Sequence, residues 1–282
     1  MIQWIEALSN DEAFLKKLGA DFMVHPLALE DCFNRDQRPK LDDYSTHQFL
    51  VWFMFHKNKV YEVQFIIFPD KLIAVPHEQP PEGLAWSEFL KMGKIDSYRD
   101  VWHLLYATLD KMTDITWQEV RSLYLYVDEM EQQMFKKGIN PESLLKLKKK
   151  LNRFDYTLGH LSSVVQQLRN LIKPTGDLNW KLRDLSDHCE RIYASVTSYR
   201  SQISTTIELF WGLQANKTNH QIKKLSLLAS IAVPLSFWSS FWGMNFEIIP
   251  FNSPELFYVA LLIMLASVAT TSWLLIRKGY WN

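Results

Sequence analysis

Residues 225–246 read LSLLASIAVPLSFWSSFWGMNF, and residues 256–276 read LFYVALLIMLASVATTSWLLI. No Asp, Glu, Lys or Arg lies between Lys224 and Glu247, nor between Glu255 and Arg277. A hydrocarbon core of ~30 Å needs about 20 apolar residues in a helix that rises ~1.5 Å per residue. Both runs reach that length. The connecting segment, EIIPFNSPE, is too short for a domain and rich in turn residues. The pattern predicts a C-terminal transmembrane hairpin. A buried helical pair in a soluble core is the alternative, but core helices rarely stay free of charge over such a length.

Working outward, the flanks set the orientation. Lys217, Lys223 and Lys224 precede the first run, and Arg277 and Lys278 follow the second. The connecting segment carries Glu247 and Glu255 but no Lys or Arg. The positive-inside rule then places both termini in the cytoplasm and the loop outside. This is the arrangement of a multi-pass protein of the inner (cytoplasmic) membrane. The start, MIQWIEALSNDE, has no basic n-region or apolar h-region, so no cleaved signal peptide is expected. Cys32 and Cys189 then lie on the reducing side and should be free thiols.

The 282 residues include 31 Lys plus Arg and 31 Asp plus Glu, a formal net charge of +0. All but two charges of each sign precede residue 225, so a charge-dense region is followed by a nearly uncharged one. A mean hydropathy of -0.14 is the average of those two regions. Zero net charge excludes a bulk electrostatic nucleic-acid binder. Hydrophobic content of 48% excludes disorder. Two cysteines exclude a disulfide scaffold.

Residues 1–95 read as a cytoplasmic α/β domain. Gln48–His56 and Val60–Phe68 are β-branched and aromatic, separated by the polar turn Lys57-Asn58-Lys59. A short strand, Leu72–Val75, follows the turn Pro69-Asp70-Lys71, and His25–Asp31 is a short helix candidate. Residues 96–176 read as a helical hairpin. Ser97–Lys137 has helical spacing at Val101, Leu104, Leu105, Thr108, Met112 and Ile115, with Gly138 as its stop. Asn140-Pro141 restarts a helix that is expected to run to about Lys173 before Pro174-Thr175-Gly176. Asp177 can cap a stalk helix over 177–241 that continues into the first span, about 225–242. It would be roughly 100 Å long and would need partner helices. An outer loop (243–255), a second span (256–276) and a cytoplasmic tail (277–282) complete the chain.

Two spans cannot enclose a water-filled path, so transport would require an oligomer with one lining helix per subunit. The 3-4-3-4 spacing of a superhelical seam picks out Asn219, Ile222, Ser226, Ala229, Val233, Ser236 and Ser240. Beyond its cytoplasmic end this stripe is small or hydroxylated. Leu227, Leu228, Leu235, Trp238 and Trp242 lie off it. Such a stripe suits a narrow pore, and it equally suits tight helix packing in lipid. With no ionisable side chain in either span, selectivity would come from neutral oxygens.

The first span ends in Gly243-Met244-Asn245. A Gly-Met-Asn at this place, with Asn216-Lys217-Thr218-Asn219, Pro234-Leu235, His25-Pro26-Leu27-Ala28-Leu29-Glu30-Asp31, Gln37-Arg38-Pro39-Lys40 and Arg183-Asp184-Leu185-Ser186-Asp187-His188 in order, resembles the CorA-type magnesium transporter family over nearly the whole chain. The resemblance implies an α+β cytoplasmic domain, long helices and a two-helix transmembrane hairpin in a funnel-shaped homopentamer. It implies Mg²⁺ influx through an axial pore, with Co²⁺ and Ni²⁺ as secondary ions. No resident cofactor is implied. Mg²⁺ is the transported ion, and the resemblance gives it a regulatory role as well. The partners are the chain itself, the bilayer and divalent cations, with no nucleic acid.

The same resemblance distributes roles. Asn245 would form a ring at the outer mouth with Gly243 and Met244, its carboxamides accepting hydrogen bonds from a hydrated ion that sheds water reluctantly. A helix C-cap is a second role open to Asn245. Gly243 would let the backbone turn tightly, and Glu247 and Glu255 would concentrate cations outside. Asn219 would be a polar ring at the cytoplasmic end. Ile222, Leu225 and Val233 match hydrophobic constrictions, and Ser236 a hydroxyl position. Asp184 matches an acid of the regulatory site, and Asp187 lies nearly one turn on, so the pair could bind a hard cation or form a solvated face. The turn Lys57-Asn58-Lys59 departs from the family by offering no carboxylate, so regulation would be weaker or would use another acid such as Glu62. Transport of Zn²⁺, proton-coupled as in a related branch, is the alternative function. A membrane-anchored scaffold without conduction is a third class. No enzyme is expected, since phosphate-loop, nucleophile-elbow and zinc-protease motifs are absent. His25, His103, His160 and His188 are expected to be surface or satisfied residues.

Overall fold

The computed structural model describes residues 2–7, 11–35, 37–136, 140–244 and 254–278. The first strand, β1 (Gln3–Glu6), is followed by helices α1 (Glu12–Asp21) and α2 (Pro26–Phe33). Strands β2 (Lys40–Asp43), β3 (Gln48–His56), β4 (Lys59–Ile67) and β5 (Lys71–Pro76) complete one sheet. Short α3 (Trp86–Phe89) leads to the long helices α4 (Val101–Lys136), α5 (Pro141–Leu158), α6 (Leu161–Ile172), α7 (Asp177–Trp242) and α8 (Pro254–Arg277).

The sheet order is β1-β5-β4-β3-β2, with β1 parallel to β5 and the other pairs antiparallel. β3 and β4 are buried over nearly their whole length and show no polar alternation, the mark of a sheet covered on both faces. On one face Phe49, Val51, Phe53, Ile66, Ile73 and Val75 pack with Leu15 and Leu18 of α1 and Ala28 and Cys32 of α2. Alternation puts Leu50, Trp52 and Met54 on the opposite face, and α4 is the helix packed against β3. β2 pairs with β3 only as far as Val51. Beyond that point the open strand edge is closed by α4, where the Phe55 amide donates to Thr116 Oγ1 at 3.1 Å.

The expected strand Gln48–His56 is β3, and the next strand begins one residue early, at Lys59. The turn is therefore two residues, Lys57 and Asn58, at φ 47° and 66°. Positive φ at both positions matches the right-handed twist of the flanking strands. β1, β2 and α1, short and weakly patterned, were not foreseen.

The expected single helix from Asn140 to Lys173 is two. Asn140 does cap α5, accepting the Glu142 amide at 2.9 Å, but α5 stops at Leu158 and α6 starts at Leu161. At the break a Cβ on Gly159 would lie 3.1 Å from the Asp155 carbonyl and 3.2 Å from the Tyr193 ring of α7, tighter than an ordinary contact. Gly138, the expected stop of α4, lies outside the described residues. By contrast α7 is one helix of 66 residues. Pro234 sits inside it and forgoes only the amide bond to residue 230.

The chain forms two compact units, 1–207 and 208–282. The expected stretches 1–95 and 96–176 lie together in the first. The second holds the last part of α7 and all of α8, the two helices long and apolar enough to cross a membrane.

Candidate functional site

In the second unit, the partly covered residues of α7 include Lys223, Leu227, Ser230, Ile231, Pro234, Leu235, Trp238 and Trp242, which fall on one face. Those of α8 include Ala260, Ile263, Ser267, Thr271 and Leu275, at the spacing and small size of a helix-packing stripe in lipid. The remaining α8 surface is apolar and exposed at Phe257, Leu262, Leu265 and Trp273.

Asn219, Ile222, Ser226, Ala229, Val233, Ser236 and Ser240 are all exposed in the single chain. At 100° per residue they centre roughly 150° around α7 from its covered face. Ile222 is 55% exposed and Val233 64%. Leu225 is also exposed, beside the stripe. At the end near residue 219 the stripe shares its edge with a groove of about 850 Å³ between the two helices, where Lys223 and Lys278 lie. Serine hydroxyls need no outside partner in such a helix: Ser230 Oγ donates to the Ser226 carbonyl at 2.7 Å.

The far end of α7 carries an aromatic cluster of Phe237, Trp238, Phe241 and Trp242. The helix then tightens: the Gly243 amide donates to Ser239 O at 3.0 Å and the Met244 amide to Phe241 O at 3.3 Å. Gly243 is not in the left-handed region. A Cβ there would lie 3.2 Å from the Ser239 carbonyl. Met244 is 55% exposed. Asn245 and Glu247 lie outside the described residues, and Glu255 is exposed in the first turn of α8, where a carboxylate suits the helix dipole.

In the first unit the structure assembles a second group. Asp110 and Asp114, one turn apart on α4, meet His188 of α7, with one ligand atom from each lying within 4.8 Å of the others. Asp184, one turn before His188, adds its charge. Burial raises the Asp110 carboxyl above its ordinary value, Asp114 and Asp184 raise it further, and His188 opposes them. Burial likewise pushes the Tyr106 hydroxyl up to about 12, with Asp110, Asp184 and Asp114 adding to the shift. The group is what a divalent cation would relieve: carboxylate oxygens and one imidazole, partly buried and mutually repelling. It differs from the expected pair. Asp184 and Asp187 are both exposed and neither is among the three that offer ligand atoms; Asp184 acts on the group only through its charge. His188, expected to be a bystander, is a member. Asp110 and Asp114 were missed, because an i, i+4 acid pair on a helix is common and only its partner helix distinguishes it.

The other expected sources of acid change place. The Lys57-Asn58 turn has no carboxylate of its own, but Glu119 of α4 supplies one, accepting the Lys57 amide at 3.0 Å and the Asn58 amide at 3.1 Å. Glu62 is not free to serve as a surface acid. It is 8% exposed on β4 and accepts from Gln64 Nε2 at 2.9 Å. Of the other histidines, His25 caps α2 through Nδ1, and His103 bridges Asp100 (2.8 Å) and Asp177 (3.4 Å).

Comparison with known proteins agrees with this architecture. A family model described as "CorA-like Mg2+ transporter protein" matches residues 1–278. The cobalt/magnesium transport protein CorA of Thermotoga maritima is 25% identical over 284 residues, covering 95% of this chain and 79% of that protein. A putative metal ion transporter of Bacillus subtilis is 25% identical over 287 residues, covering 99% and 90%. Among solved structures, the CorA magnesium transporter of Methanocaldococcus jannaschii superimposes with a TM-score of 0.79 at 20% identity, over 98% of this chain and 90% of that one. The ZntB cytoplasmic domain of Vibrio parahaemolyticus gives 0.62 at 10% identity, over 77% of this chain and 89% of that one. At these identities the structural matches establish the fold.

Proposed function

Since the chain belongs to the CorA-like Mg2+ transporter family, we propose that it carries Mg²⁺, with Co²⁺ and Ni²⁺ as secondary ions, through an axial pore built from the α7 helices of a homopentamer. Membership of that family makes it a divalent cation transporter rather than an enzyme. The observation that carries the pore reading is the α7 stripe. Seven residues at seam spacing are exposed; Ala229, Val233, Ser236 and Ser240 lie clear of α8, and Asn219, Ile222 and Ser226 border the groove against it. A helix that packs α8 on one face and leaves a small, hydroxylated face uncovered is built to meet copies of itself.

In this reading Asn219 and Ser226 offer neutral oxygens, while Ile222, Leu225 and Val233 form constrictions that close the path by expelling water. Asn245 carboxamides at the outer mouth receive the hydrated ion, flanked by Gly243 and Met244, and Glu247 and Glu255 enrich cations there. The inner membrane, with both termini cytoplasmic, follows from the lysines and arginines flanking the spans. The group of Asp110, Asp114 and His188, with the charge of Asp184 nearby, is the cytoplasmic cation sensor. Its imidazole keeps Zn²⁺ open as an alternative cargo or effector, because imidazole suits zinc and carboxylates suit Mg²⁺.

The deciding experiment is influx into liposomes loaded with a Mg²⁺-sensitive dye, comparing wild type with Asn245→Ala. Wild type should conduct and the variant should fall to background. Background flux in both would overturn the transport reading. The same vesicles with external Zn²⁺ and a pH gradient test the alternative: proton-dependent Zn²⁺ entry without Mg²⁺ entry would replace Mg²⁺ as the cargo.

A further inference from the structure

Helix α6 buries Leu161, Val164, Val165 and Leu168. Gln166, Arg169, Asn170 and Lys173, at i, i+3, i+4 and i+7, form a separate polar side. That side, with Pro174 and with Asn179 of α7, lines a cleft of about 390 Å³. Residues 156–176 contain no Asp or Glu. The wall of the cleft accordingly holds two cations and three carboxamides, and no carboxylate.

Neither cation is neutralised within the chain. Arg169 Nη2 donates to a neutral acceptor, Asn179 Oδ1, at 3.2 Å. Arg169 Nε is enclosed by protein and has no acceptor. Among the described residues no carboxylate pairs with Arg169 or with Lys173. The next carboxylate along the chain, Asp177, is already engaged, with Lys181 Nζ at 2.9 Å and His103 Nε2 at 3.4 Å. A half-buried guanidinium without a counter-charge is costly, and an anion on its outer nitrogens offsets that cost. Two contacts fix the wall. Lys173 closes α6 in the left-handed conformation, its amide donating to the Arg169 carbonyl at 3.0 Å. Asn179 holds the guanidinium from the first turn of α7.

We propose that the cleft between the end of α6 and the start of α7 binds a single phosphate group, carried by a small sugar phosphate or free in solution. The planar guanidinium of Arg169 suits two phosphate oxygens at once. Lys173 meets a further oxygen as a point charge, and both contacts are charge-assisted hydrogen bonds. The carboxamides of Gln166 and Asn170 can each donate and accept, which fits the hydroxyls of a sugar beside the phosphate. Bound there, the anion joins α6 to α7 through the residue that Asn179 already holds. The site shares no residue with the group of Asp110, Asp114 and His188 or with the α7 stripe, so binding to it does not depend on the transport reading.

The test uses the full chain in detergent with EDTA present, so that no metal–phosphate complex forms. Inorganic phosphate, ribose 5-phosphate and ribose are titrated by calorimetry. Saturable binding of both phosphates, without ribose, is expected. Tighter binding of ribose 5-phosphate assigns the sugar phosphate; equal or tighter binding of inorganic phosphate assigns the free anion. Arg169→Gln should weaken binding by about tenfold or more. Lys173→Asn removes the second charge with a residue that tolerates the left-handed conformation, and should weaken binding by about threefold or more. Lys149→Gln, a charge loss on α5 outside the cleft, should leave affinity within about twofold. Absence of saturable binding by either phosphate, or unchanged affinity in a folded Lys173→Asn protein, would overturn the proposal. Circular dichroism checks that all three variants are folded.

Discussion

Cys32 and Cys189 are both buried, and burial pushes each thiol up to about 12, with the charge of Asp31 adding to it for Cys32 and that of Glu190 for Cys189. At pH 8 only about one thiol in ten thousand is then a thiolate. Iodoacetamide at pH 8 should leave both unmodified in the folded protein and alkylate both after denaturation, as read by intact mass. Rapid labelling of either in the native chain would contradict the burial. The cysteines were expected to be free because they lie on the reducing side, and both are free in the structure. Their inertness is a separate matter, set by the strands and helices that enclose them. The acidic group makes the same point. Asp184 and His188 stand one turn apart in the sequence, but Asp110 and Asp114 are at least 70 residues away, and only the packing of α4 on α7 joins them.

Among the elements, the start of α7 is tied to the start of α4. Asp177 Oδ2 takes Lys181 Nζ at 2.9 Å, and Asp177 Oδ1 faces His103 Nε2 at 3.4 Å, while His103 Nδ1 faces Asp100. The hydrogen bond from Lys181, then that from His103, lowers the Asp177 carboxyl from 3.8 to about 2. A carboxyl depressed in the folded state stabilises above its unfolded value and loses that contribution as pH falls through the folded value. The contribution of Asp177 is therefore complete above about pH 4 and disappears toward pH 2. Asp177→Asn should lower stability slightly at pH 7 and flatten the acid limb between those values, measured by denaturant unfolding at a series of pH values. An unchanged acid limb would remove Asp177 from the linkage. The effect is small because the group is exposed and water screens it. The helix itself was readable: 66 residues without a break follow from the lack of glycine pairs and from a single proline. The split between α5 and α6 was not. Gly159 alone is compatible with a continuous helix, and the Tyr193 ring that approaches it belongs to another element.

At the scale of the whole molecule, the uncovered face of α7 predicts which substitutions stop permeation. Ser236→Phe, on the stripe, should reduce Mg²⁺ influx into liposomes by at least about tenfold while the protein still assembles. Leu262→Phe, on the exposed apolar face of α8, should leave flux within about twofold, because a lipid-facing apolar exchange changes little. Light scattering in detergent confirms assembly in both. Equal flux in the two variants would move the conduction path off this face.

The charge-free runs mark the two apolar helices in the sequence, and the Gly-Met-Asn motif with the other matching stretches points to the family that the family model shows. Hydrocarbon tolerates only long uncharged helices, and that constraint is local and additive along the chain. The strands β3 and β4 were visible for a similar reason, since burial on both faces writes an apolar run. Tertiary structure alone decided three other things. It recruited Asp110 and Asp114 to His188, it buried Glu62 beside Gln64, and it set Glu119 under the Lys57-Asn58 turn. Each depends on side chains distant in sequence meeting across packed elements. Periodicity reports which face a residue occupies but not what covers that face.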